Sequence, residues 1–93
     1  MRKPRKIKII YRKLGREKAW GLASSDGIVE VDESLRGKKH FEILTHEILH
    51  ILFPRATEDE IEEKSIILIN TLWHEGYRRV DNANNQKLQD GKK

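Results

Sequence analysis

Two histidines four residues apart, with a glutamate directly after the first, form the chemically most distinctive segment of the chain. This segment, "HEILH", runs from His46 through Glu47 to His50. Residues i and i+4 of a helix project from one face about one turn apart, so both imidazoles can reach the same ion. Zinc accepts imidazole nitrogens at about 2.0–2.1 Å. We therefore predict that His46 and His50 are ligands of a catalytic Zn²⁺.

Glu47 is the predicted general base of this site. It points about 100° around the helix from His46, off the ligand row but close enough to reach a water at the metal. Zinc lowers the pKa of such a water, and a carboxylate takes the proton as the water attacks a carbonyl. The same five-residue pattern also arises by chance, so the alternative is an amphipathic helix whose histidines do no chemistry.

A catalytic zinc site needs a third protein ligand and an open position for water. At about 100° per residue, Glu62 lies on the same side of the second helix as Ser65 and Ile69. An unpaired carboxylate on an apolar stripe is costly, and a metal would satisfy it. We predict Glu62 as the third ligand because the small Ser65 leaves room for close helix approach. Glu58 remains open as an alternative ligand, and both glutamates could instead only stabilise the helix N-terminus.

The elements that must position these residues are strands followed by helices. Residues 6–12, "KIKIIYR", alternate apolar and basic side chains, which predicts a strand. Residues 20–33 contain two extended runs around Asp26-Gly27, a strong hairpin signal. The sequence therefore predicts the α+β class, with a small three-stranded antiparallel sheet packed on two helices.

Helical periodicity begins near Lys38 and places the HEILH segment inside a helix. Pro54 ends this helix, because proline disfavours helical geometry in the residue before it. Thr57 with Glu60 three residues later fits a capping box and starts the second helix, which ends near Gly76. We predict one domain over residues 1–80 and a disordered polar tail over residues 81–93.

Size and composition narrow the class of protein. The chain has 93 residues, no cysteine and a formal net charge of +4. Without thiolates, a transition-metal site must use His, Asp and Glu, which suits a catalytic zinc. The longest apolar run, residues 66–69, is far too short to span a bilayer. We expect a cytoplasmic monomer that does not enter membranes.

Basic residues are concentrated at the start of the chain. Nine of the first 18 residues are Lys or Arg, whereas acids cluster in residues 58–63. This basic strand could bind nucleic acid or an acidic partner. The alternative is a solvated strand face that only aids solubility.

The combination of "HEILH" with "EEKSIILI" on the following helix resembles the ImmA/IrrE-type metallopeptidases. The preceding "DGIVEVDESL" resembles the strand before the active helix in those enzymes and in SprT-like proteins. The extended metzincin pattern is excluded because Phe53 and Ala56 stand where that class has Gly and His. The resemblance implies zinc-dependent cleavage of a peptide bond, with Glu62 matching the glutamate of the second helix. In zincins an edge strand near the active helix receives the peptide, and "IVEVDE" is the candidate strand.

Three functions are therefore compatible with the sequence. The leading interpretation is a small gluzincin-like zinc metallopeptidase acting on a peptide or protein. A second is a nucleic-acid-associated accessory protein that uses the basic strand. A third is a zincin-like module that binds a partner without cleaving it. The Glu47→Gln substitution separates the first interpretation from the third, because it should remove turnover and keep zinc.

Overall fold

Three β-strands and two α-helices build the part of the chain that the structure, a computed structural model, describes: residues 6–80. In chain order they are β1 (Lys8–Arg12), a 3₁₀ turn (Gly15–Glu17), β2 (Gly21–Ala23), β3 (Ile28–Asp32), α1 (Gly37–Leu52) and α2 (Glu58–His74). The predicted α+β class is confirmed. The predicted tail over residues 81–93 lies outside the described residues. Neither described helix is long and apolar enough to cross a membrane.

The sheet has the order β1-β3-β2, so β3 lies in its centre. β2 pairs antiparallel with β3, as the hairpin signal predicts, but β1 pairs parallel with β3. The prediction of a purely antiparallel sheet is therefore wrong, and the sheet is mixed. Alternating apolar residues define the buried face of a strand and carry no information about the direction of its partner. Residues 13–20 cross from β1 to the opposite edge of the sheet, where β2 lies. The hairpin after β2 then places β3 between β1 and β2.

A carboxylate at the end of β3 fixes this crossover. One Asp32 oxygen accepts the Leu14 N–H at 2.9 Å, and the other accepts the Ser34 N–H at 2.9 Å and the Ser34 hydroxyl at 2.6 Å. These hydrogen bonds hold the pKa of the Asp32 carboxyl below its ordinary value, and the Ser34 hydroxyl makes the largest contribution to this shift. Asp32 thus ties the chain after β1 to the end of β3.

The main core lies between the sheet and α1. Val29 and Val31 of β3 are fully buried and pack with Leu35 and Ile51. Partly buried apolar side chains surround this cluster: Ile7, Ile9, Ile43, Leu44 and Ile48. Because α1 covers the sheet with one face, another of its faces is left for α2.

α2 packs on α1 through a stripe of residues spaced four apart. Ile61, Ser65 and Ile69 are the buried residues of α2, and Thr45 and Leu49 are buried on α1. Ser65 is 3% exposed and donates its hydroxyl hydrogen to the Glu62 carbonyl at 3.0 Å. A side chain this small lets the two helices approach closely, as the sequence predicts.

The boundaries between the helices are also as predicted. α1 ends at Leu52, before Pro54, and α2 begins after Thr57. The Glu60 N–H donates to the Thr57 hydroxyl at 3.2 Å, and the Thr57 N–H donates to the Glu60 carboxylate at 2.8 Å. This reciprocal capping box makes Glu58 the first residue of α2.

Candidate metal centre

The two histidines of the HEILH segment face each other across one turn of α1. The Nε2 atoms of His46 and His50 lie 3.2 Å apart, and both side chains are partly buried. This is the arrangement that their four-residue spacing predicts on a helix. Two ring nitrogens therefore converge on one point beside α2.

Glu58 supplies a carboxylate at that point. One of its oxygens lies 2.9 Å from His46 Nε2, and the other lies 2.9 Å from His50 Nε2. Among the described residues, His46, His50 and Glu58 form the one group of His, Asp and Glu side chains whose donor atoms all lie within 4.8 Å of one another. Glu58, the alternative that the sequence left open, is thus placed against both nitrogens.

Glu62, the predicted third ligand, contacts the opposite side of the His46 ring. Its carboxylate lies 3.4 Å from His46 Nδ1 and not against the Nε2 atoms. Glu58 and Glu62 are one helical turn apart, so they differ by only about 40° around α2. A helical projection cannot separate two such residues. The distances favour Glu58 as the ligand, and the ligand role of Glu62 stays a prediction.

The donor set fits a zinc ion. Tetrahedral bonds of about 2.0–2.1 Å place neighbouring ligand atoms roughly 3.3 Å apart. The 3.2 Å between the two Nε2 atoms is close to this value, and the 2.9 Å contacts to Glu58 are somewhat shorter. Imidazole and carboxylate oxygen are zinc ligands, and a cation also satisfies acceptor atoms that otherwise face one another.

Glu47 lies on the side of α1 that faces β2. Burial raises the pKa of its carboxyl, and the neighbouring His46 and His50 act in the opposite direction. A Cβ atom built on Gly21 would lie 2.9 Å from Glu47 Cγ, 3.2 Å from a Glu47 carboxylate oxygen and 2.7 Å from Ile43 Cγ2. Only glycine leaves enough room for the Glu47 side chain in this position.

Gly21 is the site residue that the sequence reasoning missed. A glycine inside a strand often marks a place where another group approaches the backbone closely. The segment "WGLA" around Gly21 carries that signal. What it could not reveal is that the approaching group is the predicted general base.

A groove of about 540 Å³ opens beside Glu47 between β2, α1 and α2. His46, Glu47 and Glu62 line one part of it. Apolar walls come from Ile43, Ile66 and Ile69, while Trp20 is 51% exposed at its border. His46 of the candidate metal site and the predicted base Glu47 therefore face a shared space that is open to solvent.

The outer strand beside this groove is β2, not β3. β3 pairs on both sides, so the expectation that "IVEVDE" receives a peptide as an edge strand is wrong. On either side of β2, the Trp20 carbonyl accepts from the Asp32 N–H and the Ser24 N–H donates to the Ile28 carbonyl. Backbone groups alternate along an antiparallel strand, so those of Gly21 and Ala23 point towards the open edge.

The remaining histidines and tyrosines play other parts. His40 is 5% exposed, and its Nε2 lies 2.9 Å from the Tyr11 hydroxyl oxygen. Burial, followed by the charges of Arg79 and Arg36, lowers the pKa of His40 and so favours the neutral form of its imidazole beside Tyr11. Tyr77 is 64% exposed and does not belong to the core.

Comparison with known proteins gives no family assignment. No protein-family model, no curated protein and no solved structure matches the chain. Function must therefore be inferred from the site itself.

Proposed function

We propose that this protein is a zinc-dependent metallopeptidase in which His46, His50 and Glu58 hold the metal. The observation that carries the proposal is the convergence of two Nε2 atoms and a carboxylate at 2.9–3.2 Å next to the glutamate of an HExxH segment. Three protein ligands of this kind leave a fourth position for water, as catalytic zinc sites do.

Glu47 carries the proton in the proposed reaction. Zinc, when bound, acidifies a water molecule and polarises the substrate carbonyl. The Glu47 carboxylate accepts the proton of the attacking water and then delivers it to the leaving amine. Its position between α1 and Gly21 directs it into the groove that His46 also lines.

Glu62 orients His46 in this proposal. A histidine that binds metal through Nε2 keeps a proton on Nδ1, and a carboxylate beside that nitrogen fixes the ring. Glu62 lies 3.4 Å from His46 Nδ1, which suits this role. Removal of such a supporting carboxylate typically weakens metal affinity about 10–100-fold, and loss of a direct ligand weakens it more.

The proposed substrate is a peptide segment in extended conformation. Within residues 6–80 the outer edge of β2 is unpaired and offers the backbone groups of Gly21 and Ala23 next to Glu47, so main-chain pairing would align a peptide there. The apolar walls of the groove would take a side chain near the bond to be cut. The similarity of "HEILH" and "EEKSIILI" to ImmA/IrrE-type enzymes, and of "DGIVEVDESL" to those and to SprT-like proteins, supports the same reaction class.

The metal ligands are tested by zinc analysis of purified variants. We expect one zinc per chain, lost in His50→Ala. Glu62→Ala should weaken zinc affinity about 10–100-fold. A chromogenic chelator should extract zinc from Glu58→Ala more easily than from Glu62→Ala, because Glu58 is the direct ligand in this proposal. Retention of zinc by Glu58→Ala together with its loss from Glu62→Ala would make Glu62 the ligand.

Catalysis is tested with fluorescently labelled β-casein, an unfolded protein that presents many extended segments. Glu47→Gln should keep its zinc and lose cleavage by at least about 100-fold, because the amide cannot accept the proton. Glu42→Gln, a neighbouring change in the groove wall, serves as the matched control. Equal cleavage by wild type and Glu47→Gln would rule out the proposed base.

A further inference from the structure

Five exposed basic residues lie near the start of α1 and just after the end of α2. Arg36, Lys38 and Lys39 stand at the start of α1, and Arg78 and Arg79 follow the end of α2; we call these five residues the basic surface. All five are exposed. Lys39 also lines the groove beside Glu47, whereas the other four residues do not, and the proposed peptidase reaction assigns no role to these charges.

Aromatic contacts bring the two parts of the basic surface together. The Arg79 guanidinium lies 4.7 Å from the ring centroid of Tyr11, which stacks on His40 of α1 at 5.7 Å. The Arg78 guanidinium lies 3.5 Å from the ring centroid of Trp73. Trp73 in turn stacks on Phe41, the neighbour of His40 in α1.

The charges of the basic surface are not neutralised within residues 6–80. In that part of the chain, the ion pairs of Lys and Arg side chains are those of Arg12 with Glu17 and Glu30. The first turn of α1 contains no acidic residue, and its N-terminus has no side-chain cap. The segment 58–63, where acids concentrate, belongs instead to the candidate metal centre.

Two of the arginines are held in place rather than free to move. One amino group of the Arg36 guanidinium donates hydrogen bonds to the Glu33 carbonyl at 2.7 Å and to the Leu35 carbonyl at 2.8 Å. One amino group of the Arg78 guanidinium donates hydrogen bonds to the Trp73 and Tyr77 carbonyls, both at 2.8 Å. A guanidinium has five N–H donors, so each keeps donors for a ligand while its side-chain entropy is already reduced.

We propose that the basic surface binds the phosphate backbone of nucleic acid. Arginine presents a planar fork that matches phosphate oxygens, and a polyanion can contact several such groups at once. We place the interaction here rather than on the basic strand that the sequence suggested, because Arg36 and Arg78 are held in position. Arg12 of β1 is instead paired with Glu17 and Glu30. The contacts go to phosphates, so binding is independent of base sequence. This inference does not rest on the metallopeptidase proposal.

The test measures fluorescence anisotropy of labelled 20-nucleotide single-stranded DNA and 20-base-pair duplex with the full chain at 50 and 200 mM KCl. We expect binding that weakens steeply with salt, since each phosphate contact contributes a slope of about −0.7 to −0.9 in the logarithmic plot. Replacing four of the basic residues by Gln should weaken binding at least about 10-fold. The changes are Lys38→Gln, Lys39→Gln, Arg78→Gln and Arg79→Gln.

A control variant loses the same four charges elsewhere on the exposed surface. Its binding should stay within about 3-fold of wild type, because only contacting charges release counterions. The changes are Lys13→Gln, Arg16→Gln, Lys18→Gln and Lys64→Gln. Circular dichroism checks folding. If the first variant is unfolded, the pair Lys38→Gln/Lys39→Gln is compared with the pair Lys13→Gln/Lys18→Gln, and about a 3-fold difference is expected.

Three results would overturn the inference. The first is no binding of wild type to either DNA at 50 mM KCl. The second is an equal loss of binding in the variant and its control, which would indicate a general effect of net charge. The third is equal or tighter binding to poly-glutamate or to phosphatidylserine vesicles, which would assign the basic surface to an acidic protein or a membrane.

Discussion

At the scale of single residues, the candidate site depends on how closely β2 approaches α1. Glu47 is partly buried against Gly21, and a methyl group on Gly21 would come within 3.0 Å of Glu47 Cγ and of Ile43 Cγ2. Contacts this short cannot persist, so some group must move. Ile43 is packed against the core, whereas the Glu47 side chain borders the open groove and is the easier one to displace.

The Gly21→Ala substitution should therefore lower cleavage of β-casein while zinc content stays at the wild-type value. Displacement of the base by about 1 Å can cost on the order of 100-fold in rate. The effect should appear in kcat rather than in KM, because the displaced carboxylate acts in the chemical step and the backbone groups that Gly21 offers to the peptide are kept. Steady-state kinetics together with elemental analysis measures both quantities.

Gly15→Ala is the matched control for this experiment. Nothing lies within 4 Å of a Cβ on Gly15, and its φ is not positive. Both substitutions change the flexibility of the unfolded chain equally. Indifference of the cleavage rate to Gly21→Ala would contradict the positioning role of this glycine.

At the scale of elements, short connections determine which side chains meet. The capping box at Thr57 fixes the first residue of α2, and this brings Glu58 opposite His50 and His46. Asp32 has the corresponding role in the sheet, because its carboxylate joins Leu14, after β1, to Ser34, before α1. Each of these polar groups replaces the water that a free backbone N–H would otherwise require.

Asp32 should make the stability of the fold sensitive to acid. Its pKa is lowered in the folded state, so its contribution is present above the unfolded pKa of about 3.9 and is lost as the pH falls through that value to the folded pKa. Asp32→Asn should lower the urea midpoint at pH 6 and reduce the further loss between about pH 5 and pH 3. Urea unfolding at pH 6, 5, 4 and 3 measures this dependence.

Asp26→Asn provides the same chemical change at an exposed turn. Asp26 lies between β2 and β3 and forms no side-chain hydrogen bond within residues 6–80. Its urea midpoints should follow those of wild type at each pH. Parallel curves for wild type and Asp32→Asn would show that the Asp32 hydrogen bonds do not respond to acid in this way.

At the scale of the whole molecule, α1 is shared between two layers. One face covers the sheet through Ile43, Leu44 and Ile48, and another packs on α2 through Thr45 and Leu49. The candidate ligands lie at the border of this second contact, with two on α1 and one on α2. An ion held there would join the two helices in addition to their packing contact.

Zinc should therefore raise the melting temperature of the protein. A ligand present at 100 times its Kd stabilises the folded state by about 2.7 kcal/mol. For a domain of this size that corresponds to roughly 10–20 °C. Differential scanning fluorimetry with and without excess zinc measures the shift.

His50→Ala and magnesium are the controls for this measurement. Magnesium prefers octahedral oxygen ligands, so it should produce no comparable shift. His50→Ala lacks one of the three ligands and should lose most of the zinc effect. A shift of equal size in wild type and His50→Ala would place the stabilising zinc elsewhere on the chain.

Much of the local structure could be predicted from the sequence because it depends on neighbours along the chain. The helix containing His46 and His50, its end before Pro54, the capping box at Thr57 and the hairpin at Gly27 all follow from periodicity and turn chemistry. Gly27 has a φ of 86°, which is the positive value that such a turn requires. The pairing of the two histidines belongs to the same class, because it needs only one turn of helix.

The arrangement of these strands and helices relative to one another depends on tertiary packing, which the sequence pattern does not reveal. Alternating apolar residues do not show whether a strand pairs parallel or antiparallel. The parallel pairing of β1 with β3, and the position of β2 at the outer edge within residues 6–80, could therefore not be predicted from the sequence. A helical projection likewise treats Glu58 and Glu62 as nearly equivalent. They lie one helical turn apart, and the axial position of α2 against α1, set by the turn between the helices, places Glu58 against Nε2 and Glu62 against Nδ1. The local sequence predicts the angular position of a residue around its helix. The axial position of one helix against another and the direction of strand pairing depend on long-range packing.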